Sequence, residues 1–418
     1  MASQLRLVSV LAFGLGATAC AAIFGLDDLS DANYRTDGGV PIDGTAPVDG
    51  EVPKDGGPDA VVDPRCGLLG LPDPPSMSGS TATPGDVYAA LKRMRLGTTE
   101  GDPVIGFNLD KKCTDEQTQT SCVTKGIDGV EKVPRDKSNA SGPGIDNAGT
   151  SLLSLLSGFG GAFSQKGIDE LVTNGEVGIV FRILNWNQES NDSDVSLEIS
   201  PAFRASGVAD GGARVPVPQF GPEDIWTLDD RYQAVETHST LKSIPGAAYV
   251  SNGVLVAHFD KLVIPLLAPD DARPLDLVVR EGVFSGPITK VGSRFKVDGT
   301  FAGRIRTVDF LEQVRLIHVR DSLGIVDGGV CDPPNDEKHA YGLLKSTICG
   351  ARDIMSASTS DNQGQTCDSL SIGFLIETYA IDHENDITDF ATRPTPMPPV
   401  DQRCTQSGAI KMGDDCPK

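Results

Sequence analysis

Between Glu176 and Arg306 the apolar residues come in short, β-branched runs, each closed off by turn-forming residues. The runs are 177–184, 195–199, 253–259, 262–267, 275–281, 283–288 and 301–306. Runs of this length and composition bounded by turn signals read as strands. A late run at 370–381, LSIGFLIETYAI, reads the same way. The segments between them follow no βαβ rhythm, which argues against a parallel sheet. The expected fold is therefore mainly β: an antiparallel β-sandwich, jelly-roll-like, with a few short helices. The 47 glycines and 28 prolines suit the many turns of such a fold.

Three segments read as helices. Residues 86–94, DVYAALKRM, carry good helix formers behind a candidate N-cap, Asp86. Leu152, Leu153, Leu155 and Leu156 within 147–163 have the spacing of a buried helix that ends in the glycines of 158–161. Residues 307–318 place Phe310, Val314 and Ile317 on one face, with Leu311 alongside. Residues 104–109, VIGFNL, read as a strand, and 111–149 as a long polar loop without strands.

The chain begins differently. Arg6 and the amino terminus are followed by an apolar run from Leu7 to Leu15, the length of a signal-peptide core and too short to span a bilayer. Ala17-Thr18-Ala19-Cys20 then resembles a bacterial lipobox, with Ala17 where leucine is usual. The resemblance implies that Cys20 is diacylated after cleavage, and two acyl chains suffice for stable anchoring. Ala21 follows the cysteine, where Asp would imply retention in an inner membrane, so the resemblance implies an outer-membrane lipoprotein. The alternative is ordinary cleavage and secretion. From 27 to 65 the unit D-G-x-x-P-x recurs, with Asp-Gly at 37, 43, 49 and 55 and a net charge of −7. Such a segment cannot bury enough apolar surface to offset its chain entropy, so it reads as a disordered tether. The expected organisation is a signal peptide at 1–19, the anchor and tether at 20–65, a β-rich domain at 66–390, and a Pro-rich tail at 391–418.

Subtracting Cys20 leaves Cys66, Cys113, Cys122, Cys331, Cys349, Cys367, Cys404 and Cys416. An even number in an exported chain reads as disulfides. On proximity alone, Cys113–Cys122, Cys404–Cys416 and Cys349–Cys367 are the expected pairs. No C-x-x-C occurs and the five histidines are scattered, which argues against zinc. The net charge of −22 argues against nucleic acid and against a basic membrane-binding face. The membrane is then reached through the lipid only.

Residues 185–194 follow directly on a strand. They offer Trp186 as a stacking ring for a sugar, and Asp192 and Asp194 as oxygen donors for calcium. The other reading is a solvated turn with Trp186 packed on the core. Asp382-His383-Glu384 starts like H-E-x-x-H, but Ile387 stands at the second histidine, so no zincin site forms. Ser293 and Lys296 match S-x-x-K without its partner motifs. No catalytic residue, cofactor or resident metal is assigned.

The lipobox, the Asp-Gly steps of 37–56, and Cys349 and Cys367 ahead of 370–374 together resemble lipoproteins of the myxobacterial type. That resemblance implies a location and no activity. The function expected is a lipid-anchored envelope protein with a non-enzymatic binding or structural β domain, its partner a polysaccharide or a protein. The alternative is a glycosidase-like envelope hydrolase.

Overall fold

The computed structural model describes residues 66–417, leaving out 67–68, 77–84, 98–102, 115–120, 128, 140–141, 158–163, 204–216, 222–223, 230–241, 267–274, 316–317, 320–327, 330–339, 363, 383–386 and 392–414. Cys20, the tether, Cys331, Cys404 and His383–Glu384 lie outside the described residues.

The protein is mainly β, as expected, with one large antiparallel sheet and four short α-helices among the described residues. The sheet strands are β1 (Gly85–Arg95), β2 (Gly178–Trp186), β3 (Ser196–Phe203), β4 (Trp226–Asp229), β5 (Ala248–Ser251) and β6 (Val254–Leu266). They continue with β7 (Leu275–Val291), β8 (Arg294–Val297), β9 (Gly299–Arg306), β10 (Ser369–Ala380) and β11 (Ile387–Ala391). The order across the sheet is β11-β4-β3-β2-β1-β10-β9-β7-β6-β5, with β8 paired to β7. Two meanders, β2 to β4 and β5 to β9, are thus joined through β1 and β10. Among the described strands of this sheet, only β11 runs parallel to its neighbour, β4.

The sheet curls strongly. Phe181 of β2 and Phe284 of β7 have ring centroids 5.7 Å apart. In a flat sheet four strand spacings would separate them by roughly 19 Å. The two halves therefore face each other as the layers of a sandwich do. Backbone bonds lace the far end back. Val250 and Asp192 exchange N–H···O bonds at 2.7 and 2.9 Å, and the Ser243 N–H donates to the Leu197 carbonyl at 2.8 Å. Leu91, Phe181, Leu197, Val250, Phe259, Phe284 and Phe374 fill the space between, all fully buried.

Residues 86–94 are strand, not helix. Val87, Ala89 and Leu91 are buried in period two, and β1 is hydrogen-bonded on both sides, to β2 and β10. A helix there would leave both neighbouring ladders unpaired inside the core, a cost that outweighs helix propensity. The runs 253–259 and 262–267 merge into β6, and 275–281 and 283–288 into β7. β7 stays continuous because Glu281, at φ 44°, forms an irregularity where its register with β9 shifts between Arg280 and Val283. Buried positions change from odd to even there, so one face stays inward. Residues 104–109 form no strand, only a single bridge between Phe107 and Asp146. The long loop after them does carry two small ladders, 124–125 with 131–132 and 137–139 with 142–145.

The helices are α1 (Gly149–Leu156), α2 (Gln165–Thr173), α3 (Thr307–Val314) and α4 (Ala340–Gly350). The first and third fall where expected. The second, capped by the Ser164 side chain accepting the Gly167 N–H at 3.0 Å, and the fourth are additional. None is long and apolar enough to cross a membrane.

Three disulfides are formed among the described residues: Cys66–Cys113, Cys122–Cys367 and Cys349–Cys416. This corrects all three expected pairs. Cys122 sits beside Cys367 because Val123 donates its N–H to Gln365 and accepts that of Cys367, at 2.9 and 2.8 Å. Cys416 crosses back to α4 with Asp415, which accepts a hydrogen bond from Thr307 at 2.6 Å. Sequence distance is a poor guide where returning strands set the neighbours. The bridges mark a protein of a non-cytoplasmic, oxidising compartment.

Candidate functional site

The 185–194 loop is held in shape by its own polar groups. Asn185 and Gln188 take left-handed conformations, at φ 61° and 62°. Asp192 is buried. Its two carboxylate oxygens accept the N–H groups of Asn187 at 2.8 Å and Asp194 at 3.0 Å. The Asn187 side-chain oxygen accepts the Glu189 N–H at 2.8 Å. Trp186 is 4% exposed, its ring edge-on to Phe295 at 5.0 Å, and its indole N–H donates to the Glu189 carbonyl at 3.0 Å. The ring expected to stack on a sugar is thus a core residue. Only Asp194 of the three singled-out side chains is exposed. The loop's place is at the seam where the curled sheet closes.

The other motif residues are placed apart. Ser293 lies in the turn of the β7–β8 hairpin, and Lys296 pairs with Asp298 at 2.6 Å. Asp382 accepts from Arg294 at 3.3 Å.

A second constellation, which the motif reading passed over, lies where the 107–148 segment meets β9, β10 and the residues after α4. Five aspartates converge: Asp110, Asp136, Asp146, Asp353 and Asp361. Asp146 accepts the N–H groups of Leu109 at 2.6 Å and Asp110 at 3.3 Å. Asp136 accepts the Thr114 N–H at 2.6 Å and hydrogen-bonds to the Asp146 side chain. Asp353 accepts the Ser371 N–H at 2.8 Å and also its hydroxyl. Asp361 accepts from Ser121 at 2.8 Å, from the Met355 N–H at 3.1 Å and from Arg304 at 3.4 Å. Arg304, only 1% exposed, also donates to the carbonyls of Met355 and Leu109 at 2.6 and 2.7 Å.

Electrostatics follow from this crowding. Burial pushes the Asp136 carboxyl up to about 8, against the Thr114 N–H, with Asp110 and Asp353 adding to the rise. Burial likewise raises Asp146 well above the usual carboxylate range and Asp353 to about 6. Asp110 is raised by burial and by the neighbouring Asp361. The hydrogen bond with the Asp146 side chain and the Thr114 N–H oppose that rise at Asp136. Asp136, Asp146 and Asp353 line a cavity of about 200 Å³ together with Thr124, Asn147 and Arg352.

Chemically, the pair can hold and release a proton. Glycoside hydrolysis instead needs two carboxyl groups roughly 5–9 Å apart, with the sugar or a water between them. Here the two are in hydrogen-bond contact, and their oxygens are engaged by backbone N–H groups. The arrangement ties loops to the sheet. Among the described residues no group of three or more His, Cys, Asp and Glu side chains is set to hold a metal ion. The only trace of this constellation in the sequence was the long polar segment 111–149 with its two cysteines. Compared with known proteins, the chain matches no family model, no curated protein and no solved structure.

Proposed function

We propose that the chain is a lipid-anchored protein of the cell envelope, held at the outer membrane through Cys20, whose β domain binds or scaffolds an extracytoplasmic polysaccharide or protein. The observation that carries this reading is the three disulfides among the described residues. They tie Cys66, where the domain follows the tether, to Cys113, Cys122 to Cys367, and Cys416 to Cys349. A domain so cross-linked suits a position on a tether outside the cytoplasm, where the oxidised state persists. The lipobox-like Ala17-Thr18-Ala19-Cys20 supplies the address and Ala21 the sorting signal. The buried aspartates support a non-catalytic role, since their oxygens grip the backbone of neighbouring loops.

Metabolic labelling with a fatty acid and detergent-phase partitioning test the anchor. Wild type should carry label and enter the detergent phase, and Cys20→Ser should do neither. A variant that partitions like wild type would remove the lipid and leave the secreted alternative. The hydrolase reading draws on one observation, the Asp136–Asp146 pair at a cavity. Turnover of peptidoglycan, polysaccharide or ester substrates, lost in Asp136→Asn, would establish it in place of the binding role.

A further inference from the structure

We propose that Asn191 is an N-glycosylation site, its side-chain nitrogen carrying an oligosaccharide transferred outside the cytoplasm. Asn191-Asp192-Ser193 has the form Asn-x-Ser with a residue other than proline between, the acceptor pattern of such transfer. The pattern occurs once more, at Asn139-Ala140-Ser141. Bacterial transferases of this class also read an acidic side chain two places before the asparagine. Glu189 stands there for Asn191, whereas Lys137 stands there for Asn139. Of the two segments only 189–193 meets both requirements.

The fold presents that segment to solvent. It lies in the turn between β2 and β3, and among residues 188–194 only Asp192 is buried. The Asp192 carboxylate takes the N–H groups of Asn187 and Asp194, and its backbone exchanges hydrogen bonds with Val250. Because the chain turns inward at Asp192, Asn191 is left partly exposed and Glu189, Ser190 and Ser193 exposed. Neither the Glu189 carboxylate nor the Ser193 hydroxyl is bonded to another group among the described residues, so the acid and the hydroxyl of the pattern are both open to a transferase.

The amide itself suits the modification. Asn191 Oδ1 accepts the Asn252 N–H at 3.0 Å, and Nδ2 donates to Ser190 Oγ at 3.3 Å. Nδ2 carries two hydrogens, and this contact uses one. In the transfer, Nδ2 attacks the anomeric carbon of an oligosaccharide linked to a lipid pyrophosphate. The N–C bond forms, the bond from that carbon to the phosphate oxygen breaks, the lipid pyrophosphate leaves, and the proton lost from Nδ2 passes to the transferase. The product is still a carboxamide. Oδ1 therefore keeps its bond to Asn252, and Nδ2 keeps one hydrogen for Ser190. The glycan then stands at the seam of the curled sheet, where the Gly253 N–H also donates to the Ser190 carbonyl at 2.8 Å. Transfer of this kind takes place outside the cytoplasm and so rests on the exported location proposed above.

Glycopeptide mass spectrometry on the full-length protein purified from its own host tests the site. The peptide holding 189–193 should carry the mass of an oligosaccharide on Asn191, and the Asn139 peptide should carry none. Asn191→Gln, Ser193→Ala and Glu189→Gln should each bring the 189–193 peptide to its unmodified mass. Ser193→Thr, which keeps the hydroxyl, should stay modified. An unmodified 189–193 peptide in wild type would overturn the site, as would a glycan that persists in Asn191→Gln or stands on Asn139 instead. The N-terminal peptide of the same digest reports the lipid on Cys20 separately. A lipidated chain without the glycan overturns the site and leaves the anchor standing, and a chain glycosylated on Asn191 without the lipid does the reverse.

Discussion

Trp226 is completely buried because Gly178 makes room for it. A Cβ at Gly178 would stand inside the contact distance of the Trp226 ring, and the ring is fixed from its other side. Its indole N–H donates to the Tyr379 hydroxyl at 2.6 Å, which donates to Asp224 at 3.0 Å. Ala90, Val180 and Ile381 close a small apolar cluster around it on the outer face of the sheet. Neither backbone nor ring can yield without breaking this chain. Gly178→Ala is expected to cost about 1–3 kcal/mol as an overpacking change, read as a lower urea midpoint with an unchanged slope. A variant as stable as wild type would show that the Trp226 site has slack. A similar economy governs Trp186, whose neighbours in sequence advertise a binding loop while its ring packs on Phe295.

At the level of elements, β1 and β10 decide the architecture. They join two meanders, each built from near neighbours in the chain, into one sheet. Their pairing spans nearly the whole domain, and the Cys122–Cys367 bridge, across 245 residues, lies just ahead of β10. Cross-linking such distant points restricts the unfolded chain strongly. Replacing both cysteines by serine should cost about 2–5 kcal/mol of stability. Peptide mapping of the unreduced protein should recover fragments joining Cys66 to Cys113, Cys122 to Cys367 and Cys349 to Cys416. A fragment joining Cys113 to Cys122 would contradict the arrangement. Along β10 itself, alternation is relaxed because both faces are covered, and Ser369, Ser371 and Thr378 are buried with hydrogen-bond partners.

For the whole molecule, the buried aspartates set the response to pH. Asp136 and Asp353 are raised to about 8 and about 6, and Asp110 and Asp146 are raised as well, chiefly by burial. The folded state therefore keeps protons that the unfolded chain gives up near pH 4. Stability that is full at about pH 4 should fall as pH rises through these values to about 8. Asp309 works the other way. Burial would raise it, but the hydrogen bonds and charges of Arg306 and Arg280 hold it below the usual range. Its contribution is present above pH 4 and is lost in acid. Urea midpoints should thus decline from pH 5 to pH 9, with the decline reduced in Asp136→Asn. A midpoint that rises over that interval would contradict the raised carboxyls.

What the sequence by itself determined is the local and the compositional: β-branched runs that could only be strands, an acidic surface, and helices α1 and α3, whose leucine and phenylalanine spacing is a property of one segment. These depend on neighbours within a few residues, so a linear reading reaches them. Only the tertiary structure decided that 86–94 is strand, because the deciding groups are the unpaired edges of β2 and β10. It also decided which cysteines meet, since two strands returning side by side bring Cys122 to Cys367. The aspartate constellation had to wait for the fold for the same reason. Asp110, Asp136, Asp146, Asp353 and Asp361 stand far apart in the chain. Their carboxyls are raised only once the fold has brought these segments together and buried them.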